Sequence, residues 1–231
     1  MKTAEDFLTG QVLLIDKPLH LTSFDVVNKI RWNIKRTFNI KKIKVGHAGT
    51  LDPLATGLLI ICTGKMTKQI DTFQGQEKEY TGTFVLGSTT PSFDLETEIN
   101  ETFPTEHITE KDIHQATKQF IGDIEQFPPI FSAIKKDGKR LYEFARAGEE
   151  VVIKLRTVTV SVFEITKING NNLDFRVVCS KGTYIRSLAN DFGKALQSGA
   201  HLSALRRTKI GNFNVNDAVS LDDSIKNLSL S

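Results

Sequence analysis

The stretch from Val158 to Cys179 constrains the fold more than any other part of the chain. Val158, Val160 and Val162 alternate with Thr157, Thr159 and Ser161, Asn169 to Asn172 turns the chain, and Leu173, Phe175, Val177 and Cys179 alternate on the way back. A period of two sends alternate side chains to opposite faces of a pleated strand, so these runs predict an antiparallel hairpin with one buried face. A lone hairpin is marginal in water and needs further strands or a covering helix. The next segment offers a cover, because Ile185, Leu188, Ala189, Phe192 and Leu196 recur at helical spacing before Gly199.

Strand and helix periods are interleaved elsewhere as well. Gln11 to Ile15 reads as a short strand stopped by Asp16, Lys17 and Pro18, and Thr22 or Ser23 then caps a helix with Val27, Ile30 and Ile34 along one side. Tyr80 to Leu86 reads as a strand, and Thr109 with Asp112 opens a helix carrying Ile113, Ala116 and Phe120 on one face and ending at Gly122. The mixture follows no strict βαβ repeat, so an α+β fold with a mixed, mainly antiparallel sheet and flanking helices is expected. A length of 231 residues suits a single domain spanning residues 1–231. The 39% hydrophobic and 25% charged residues are spread without tracts, which excludes a disordered or coiled-coil chain.

No run approaches the roughly 20 apolar residues that span a bilayer, and none reads as a leader, so a cytoplasmic protein without membrane association is expected. Cys62 and Cys179 lie far apart, with no CxxC and no neighbouring histidine pair, which predicts buried thiols and no metal site. Charge is unevenly placed. Between residues 29 and 44 stand Lys29, Arg31, Lys35, Arg36, Lys41, Lys42 and Lys44 with no acid, leaving 23 basic against 27 acidic residues in the rest of the chain. Such a patch suits a polyanion, since basic side chains that neutralise phosphates release counterions, but a solvated helix face has the same composition.

Residues that could carry chemistry cluster in two places. Residues 46 to 57 read Gly-His-Ala-Gly-Thr-Leu-Asp-Pro-Leu-Ala-Thr-Gly, a glycine-shaped loop leading into the apolar run Leu58 to Cys62. Such a loop can present Asp52 at an open surface, although an aspartate before proline also closes ordinary turns. Lys181 to Arg186 joins the hairpin to its helix, and an arginine there could orient a carboxylate. Tyr80 is either a core aromatic or a stacking platform. His47 has no metal-ligand partner at helical spacing. No GxGxxG, Walker, GxSxG or HExxH signature occurs.

At residues 46 to 57 the chain closely resembles the bacterial tRNA pseudouridine synthase B family. Further blocks agree in the family's order: Asp16-Lys17-Pro18 with Thr22-Ser23; Lys78-Glu79-Tyr80; Pro128-Pro129 with Ser132, Ala133, Lys135, Gly138, Arg140, Tyr142, Ala145 and Arg146; and Cys179 to Arg186. Gly199 to Leu202 and Leu205-Arg206-Arg207 extend the match, so it covers about residues 10 to 213. Two positions depart from the family pattern: His20 stands where a glycine is usual, and Thr97 takes a glycine's place after Thr90-Pro91-Ser92-Phe93-Asp94. The residues beyond Phe213 are too few for the C-terminal PUA-type domain of many members.

The resemblance implies a pseudouridine synthase fold with a central active-site cleft, and isomerisation of the T-loop uridine at tRNA position 55 after base flipping. It implies Asp52 as the essential carboxylate, acting on C1′ or on the C2′ proton, with Arg186 as its partner. Tyr80 corresponds to the residue stacking on the flipped uracil, Tyr184 and Leu205 to pocket walls, and His47 to the residue that displaces the nucleotide from the T-loop. Arg206 and Arg207 join the seven residues from Lys29 to Lys44 as expected backbone contacts to a T-arm stem-loop. No cofactor, metal or obligate protein partner is expected, and the protein is expected to act as a monomer. A synthase acting on another RNA and a non-catalytic tRNA-folding chaperone are the alternatives.

Overall fold

The computed structural model describes residues 2–132, 134–136, 138–149 and 151–229. In chain order the first elements are α1 (Ala4–Thr9), β1 (Val12–Lys17), α2 (Ser23–Thr37), β2 (Val45–His47), β3 (Ala55–Thr63), α3 (Ile70–Gly75) and β4 (Lys78–Leu86). There follow β5 (Ser88–Thr89), β6 (Glu101–Thr102), α4 (Glu110–Thr117), β7 (Gly122–Gln126), β8 (Lys135–Lys136), β9 (Lys139–Arg140) and α5 (Leu141–Ala147). The chain closes with β10 (Arg156–Asn169), β11 (Asn172–Cys179), α6 (Ile185–Ala195), β12 (Ala200–Ile210), β13 (Phe213–Asn214), β14 (Val219–Ser220) and α7 (Leu221–Ser229). Two compact units result, one of residues 1–80 with 205–231 and one of residues 81–204. No helix among the described residues is long and apolar enough to cross a membrane.

The first unit is built around β3. Its Leu58 to Cys62 run is fully buried because both faces of the strand are covered. Leu59 and Ile61 pack with Val26, Val27, Ile30 and Ile34 of α2 and with Leu221 and Leu228 of α7. Leu58, Ile60 and Cys62 point the other way, into a cluster with Ala48, Ile210 and Val215. β1 runs antiparallel along one edge of β3. The other edge is shared by β2, antiparallel, and by β12, parallel, with Leu205 opposite Ala55 and Arg207 opposite Gly57. α2 begins where expected, at a Thr22 cap whose hydroxyl accepts from the Asp25 amide while the Asp25 carboxylate reaches back.

In the second unit β4, β11, β10 and β7 are neighbours in that order, and β10 is antiparallel to both of its partners. The predicted hairpin is present, with one change of face. A bulge between Val160 and Val162 shifts the register, so the buried side continues through Phe163 and Ile165 and leaves Val162 half-buried. α6 covers this sheet: Phe192 lies 5.2 Å from Phe163 and 6.0 Å from Phe84, which stacks on Phe175 at 4.1 Å. The helix ends at Ala195, ahead of the expected Gly199, because the amides of Leu196 and Ser198 turn back to Gly193 O. Thr109 and Asp112 form the expected capping box of α4. The fold is α+β with a mixed, mainly antiparallel sheet and flanking helices.

Candidate active site

Asp52 sits in the connection between β2 and β3, and four ties hold this connection down. Ala48 N–H donates to Ile60 O at 2.9 Å, continuing the strand pairing inward. At the start of α2 the Ser23 hydroxyl donates to Leu51 O at 3.1 Å and accepts from Leu51 N–H at 2.8 Å, gripping the residue before Asp52. On the other side, His20 N–H donates to Pro53 O at 2.8 Å. The fourth tie is Arg207, whose guanidinium donates to Leu58 O at 2.8 Å, Gly49 O at 3.1 Å and Thr50 O at 3.4 Å. Gly49 takes a φ of +93° and Gly57 one of +103°. A Cβ on Gly57 would lie 2.3 Å from Arg207 O, so only glycine lets β3 and β12 approach this closely.

Arg207 therefore corrects the expectation that it contacts RNA: it is 1% exposed and wholly occupied with protein carbonyls. A guanidinium buried without such acceptors would be costly, and the three carbonyls satisfy it while fixing the loop. Arg206 points outward but forms a two-pronged ion pair with Asp16, at 3.0 and 2.7 Å. Arg31 is likewise turned inward, to Asn28 Oδ1 and Val45 O. Lys29, Lys35, Arg36, Lys41, Lys42 and Lys44 are exposed.

Lys17 was not among the expected site residues. It lies at the end of β1, fully buried, with its ammonium donating to Pro18 O at 2.8 Å and Leu21 O at 2.7 Å. Burial pushes its pKa down to about 8, opposed by attraction to Asp52 and assisted by repulsion from Arg207. Lys17 thus holds the turn whose His20 amide holds Pro53, and it places a cation in the field of Asp52. The one available signal was its period-two relation to buried Ile15.

His47 ends β2, half-buried, opposite Ile61. Burial and then the Arg207 charge hold its pKa below the usual histidine value, against a smaller opposing contribution from the Gly49 backbone. Leu205 is half-buried on β12, in register with Ala55. Tyr80 is 9% exposed and follows Glu79, which accepts from the Thr208 hydroxyl through its backbone and its carboxylate. His47, Asp52, Tyr80 and Leu205 all belong to the first unit.

Tyr184 and Arg186 belong to the second. Arg186, at 3% exposure, donates to Ser92 O at 3.2 Å and Phe131 O at 2.9 Å and lies 3.5 Å from the buried Asp94 carboxylate. Tyr184 precedes α6 without a side-chain cap of its own. Gln126, 2% exposed, substitutes by accepting from Tyr184 N–H at 2.8 Å and donating to Tyr184 O at 3.0 Å. Gln126 was not among the expected site residues, because its partner is far along the chain. Among the resemblance residues, Ala133 lies outside the described residues.

Both departures from the family pattern are absorbed locally. His20 adopts a φ of +65°, the left-handed conformation that glycine favours, so the turn keeps that shape with a side chain present. Thr97 accepts from Ser92 N–H at 3.1 Å and pairs with the Ser92 hydroxyl at 2.8 Å, and Phe93 carries a φ of +63°. Hydroxyl bonding thereby knits the loop that presents Asp94 to Arg186.

The TruB family pseudouridylate synthase N-terminal domain matches residues 35–185, and the tRNA pseudouridylate synthase B C-terminal domain matches residues 186–228. The border between the two falls at the start of α6, inside the second unit. The tRNA pseudouridine synthase B of Flavobacterium johnsoniae is 64% identical over 95% of this chain and 96% of its own length. That of Phocaeicola vulgatus is 58% identical over 94% of this chain and 92% of its own length. Among solved structures, one chain of a Cbf5-Nop10-Gar1 complex superposes with a TM-score of 0.72 at 33% identity, covering 97% of this chain, which spans 56% of that one. The chain belongs to the TruB family of pseudouridylate synthases.

Proposed function

We propose that the protein isomerises uridine to pseudouridine at position 55 in the T-loop of tRNA. The observation that carries this reading is the Asp52 loop, a carboxylate-bearing connection fixed by Ser23, His20 and Arg207 within a chain closely similar to curated tRNA pseudouridine synthases. The reaction breaks the N1–C1′ bond and joins C5 to C1′; a proton leaves C5 and one is gained at N1. Asp52 is the group that acts on the ribose, and a rigid loop suits this role because a misplaced nucleophile or base loses rate steeply. Tyr80 stacks on the extruded uracil, Leu205 walls it, and His47 takes part in displacing the nucleotide from the T-loop. Arg186 is anchored within the second unit by Ser92 and Phe131, and the carboxylate it pairs with there is that of Asp94. The protein acts as a monomer in the cytoplasm, without cofactor, metal or obligate partner.

The test is incubation of the purified protein with an unmodified tRNA transcript, and with its T-arm stem-loop, in the absence of any additive. Pseudouridine at position 55 in both is the expected product. Asp52→Asn should form none while still binding tRNA, since the amide keeps the size but neither the charge nor the basicity. Product at a different position, or normal turnover by Asp52→Asn, would overturn the reading.

A further inference from the structure

Helix α2 has a face that its fold does not use. Val26, Val27, Ile30 and Ile34 are buried against β3 and α7, yet Phe24 on the same helix is 60% exposed and Trp32 is 56% exposed. The Arg36 guanidinium lies over the Trp32 ring, 5.1 Å from its centroid, and Lys29 and Lys35 are exposed nearby on the helix. The helix's one acid, Asp25, is committed to the Thr22 cap, and no acid occurs from residue 29 to residue 44. α7, with Asp222 and Asp223, packs on the buried side of α2 through Leu221 and Leu228.

Rings standing among cations have the make-up of a single-strand platform, where a base stacks on the ring and basic side chains neutralise the flanking phosphates. A protein partner would call for a continuous apolar area, whereas here Trp32 lies under the Arg36 guanidinium and the helix also exposes Lys29 and Lys35. The face also begins beside the site. Ser23 is bonded to Leu51, so Phe24 follows a residue that grips the one before Asp52, and Trp32 lies about 12 Å further along the helix axis.

We propose that Phe24, Trp32 and Arg36, with Lys29 and Lys35, form a second RNA contact that receives an unpaired base and its adjacent phosphates beyond the uridine at Asp52. This contact rests on the tRNA reading given above. Trp32 is the sole tryptophan, so its fluorescence reports this face alone. Adding unmodified tRNA transcript should quench it and shield it from acrylamide. Trp32→Ala should raise KM roughly tenfold with kcat unchanged, and Trp32→Phe, which keeps a ring, should recover most of the loss.

Unchanged fluorescence and acrylamide access at saturating tRNA, or a wild-type KM for Trp32→Ala, would overturn the proposal. Shielding that grows with protein concentration in the absence of RNA would assign the face to a protein contact and overturn it equally. The two readings fail differently. A wrong substrate leaves the wild type without pseudouridine in tRNA, whereas a wrong platform leaves pseudouridine formation normal and Trp32 indifferent to tRNA.

Discussion

Lys17 carries a charge in a place that holds it at a cost. Its folded pKa of about 8 lies below the ordinary 10.5, so between those values the unfolded chain binds a proton that the folded chain releases. Stability from this residue therefore rises as pH climbs through that window, by at most on the order of 3 kcal/mol. Neutral lysine keeps two N–H donors, enough for Pro18 O and Leu21 O, so the turn survives the loss of charge. Denaturant unfolding of wild type and Lys17→Met across this range isolates the effect, and a constant difference between them would show that Lys17 does not titrate there. The shaped loop around Asp52 could be read from its glycines, but the burial of Lys17 and Arg207 could not. Both are long basic side chains, which are seldom fully buried, and Arg207 meets acceptors about 150 positions away in the chain.

Elements were legible where one periodicity served one partner. The α2 and α4 caps and the hairpin of β10 and β11 obeyed local rules, since each is decided by residues a few positions apart. β12 did not, because Ala200, His201 and Leu202 are buried in succession and its later residues lie beside β3, with Arg207 buried among them. The bulge in β10 hid in the same way, an extra residue that changes which valines face inward. Gly57 is where the β3 and β12 pairing is most exposed to change. Gly57→Ala combines a φ of +103° with a Cβ 2.3 Å from a backbone oxygen. It should cost about 3 kcal/mol or more in thermal or denaturant unfolding, and activity should fall further than the folded fraction because Arg207 would release Gly49 and Thr50. A loss of activity matching the unfolded fraction alone would mean that the clamp does not govern the loop.

At the scale of the molecule, the first unit is made from both ends of the chain and the second from one uninterrupted stretch. β14 pairs with β1, and α7 adds Leu221 and Leu228 to the core beneath α2. Burial of two leucines is worth about 3–6 kcal/mol, a large share of the 5–15 kcal/mol typical of a domain. Truncation after Ser220 should therefore abolish amide-exchange protection in β1, β2, β3 and α2 while the β10–β11 hairpin keeps its own; equal loss in both would show a single cooperative unit. The same chain order sets a timetable for synthesis. The segment bearing Asp52 emerges early, but Arg207, which fastens it, follows about 155 residues later, roughly 8–30 seconds at 5–20 residues per second. A nascent chain on the ribosome thus carries the Asp52 loop unfastened until Arg207 has emerged and reached Gly49 and Thr50.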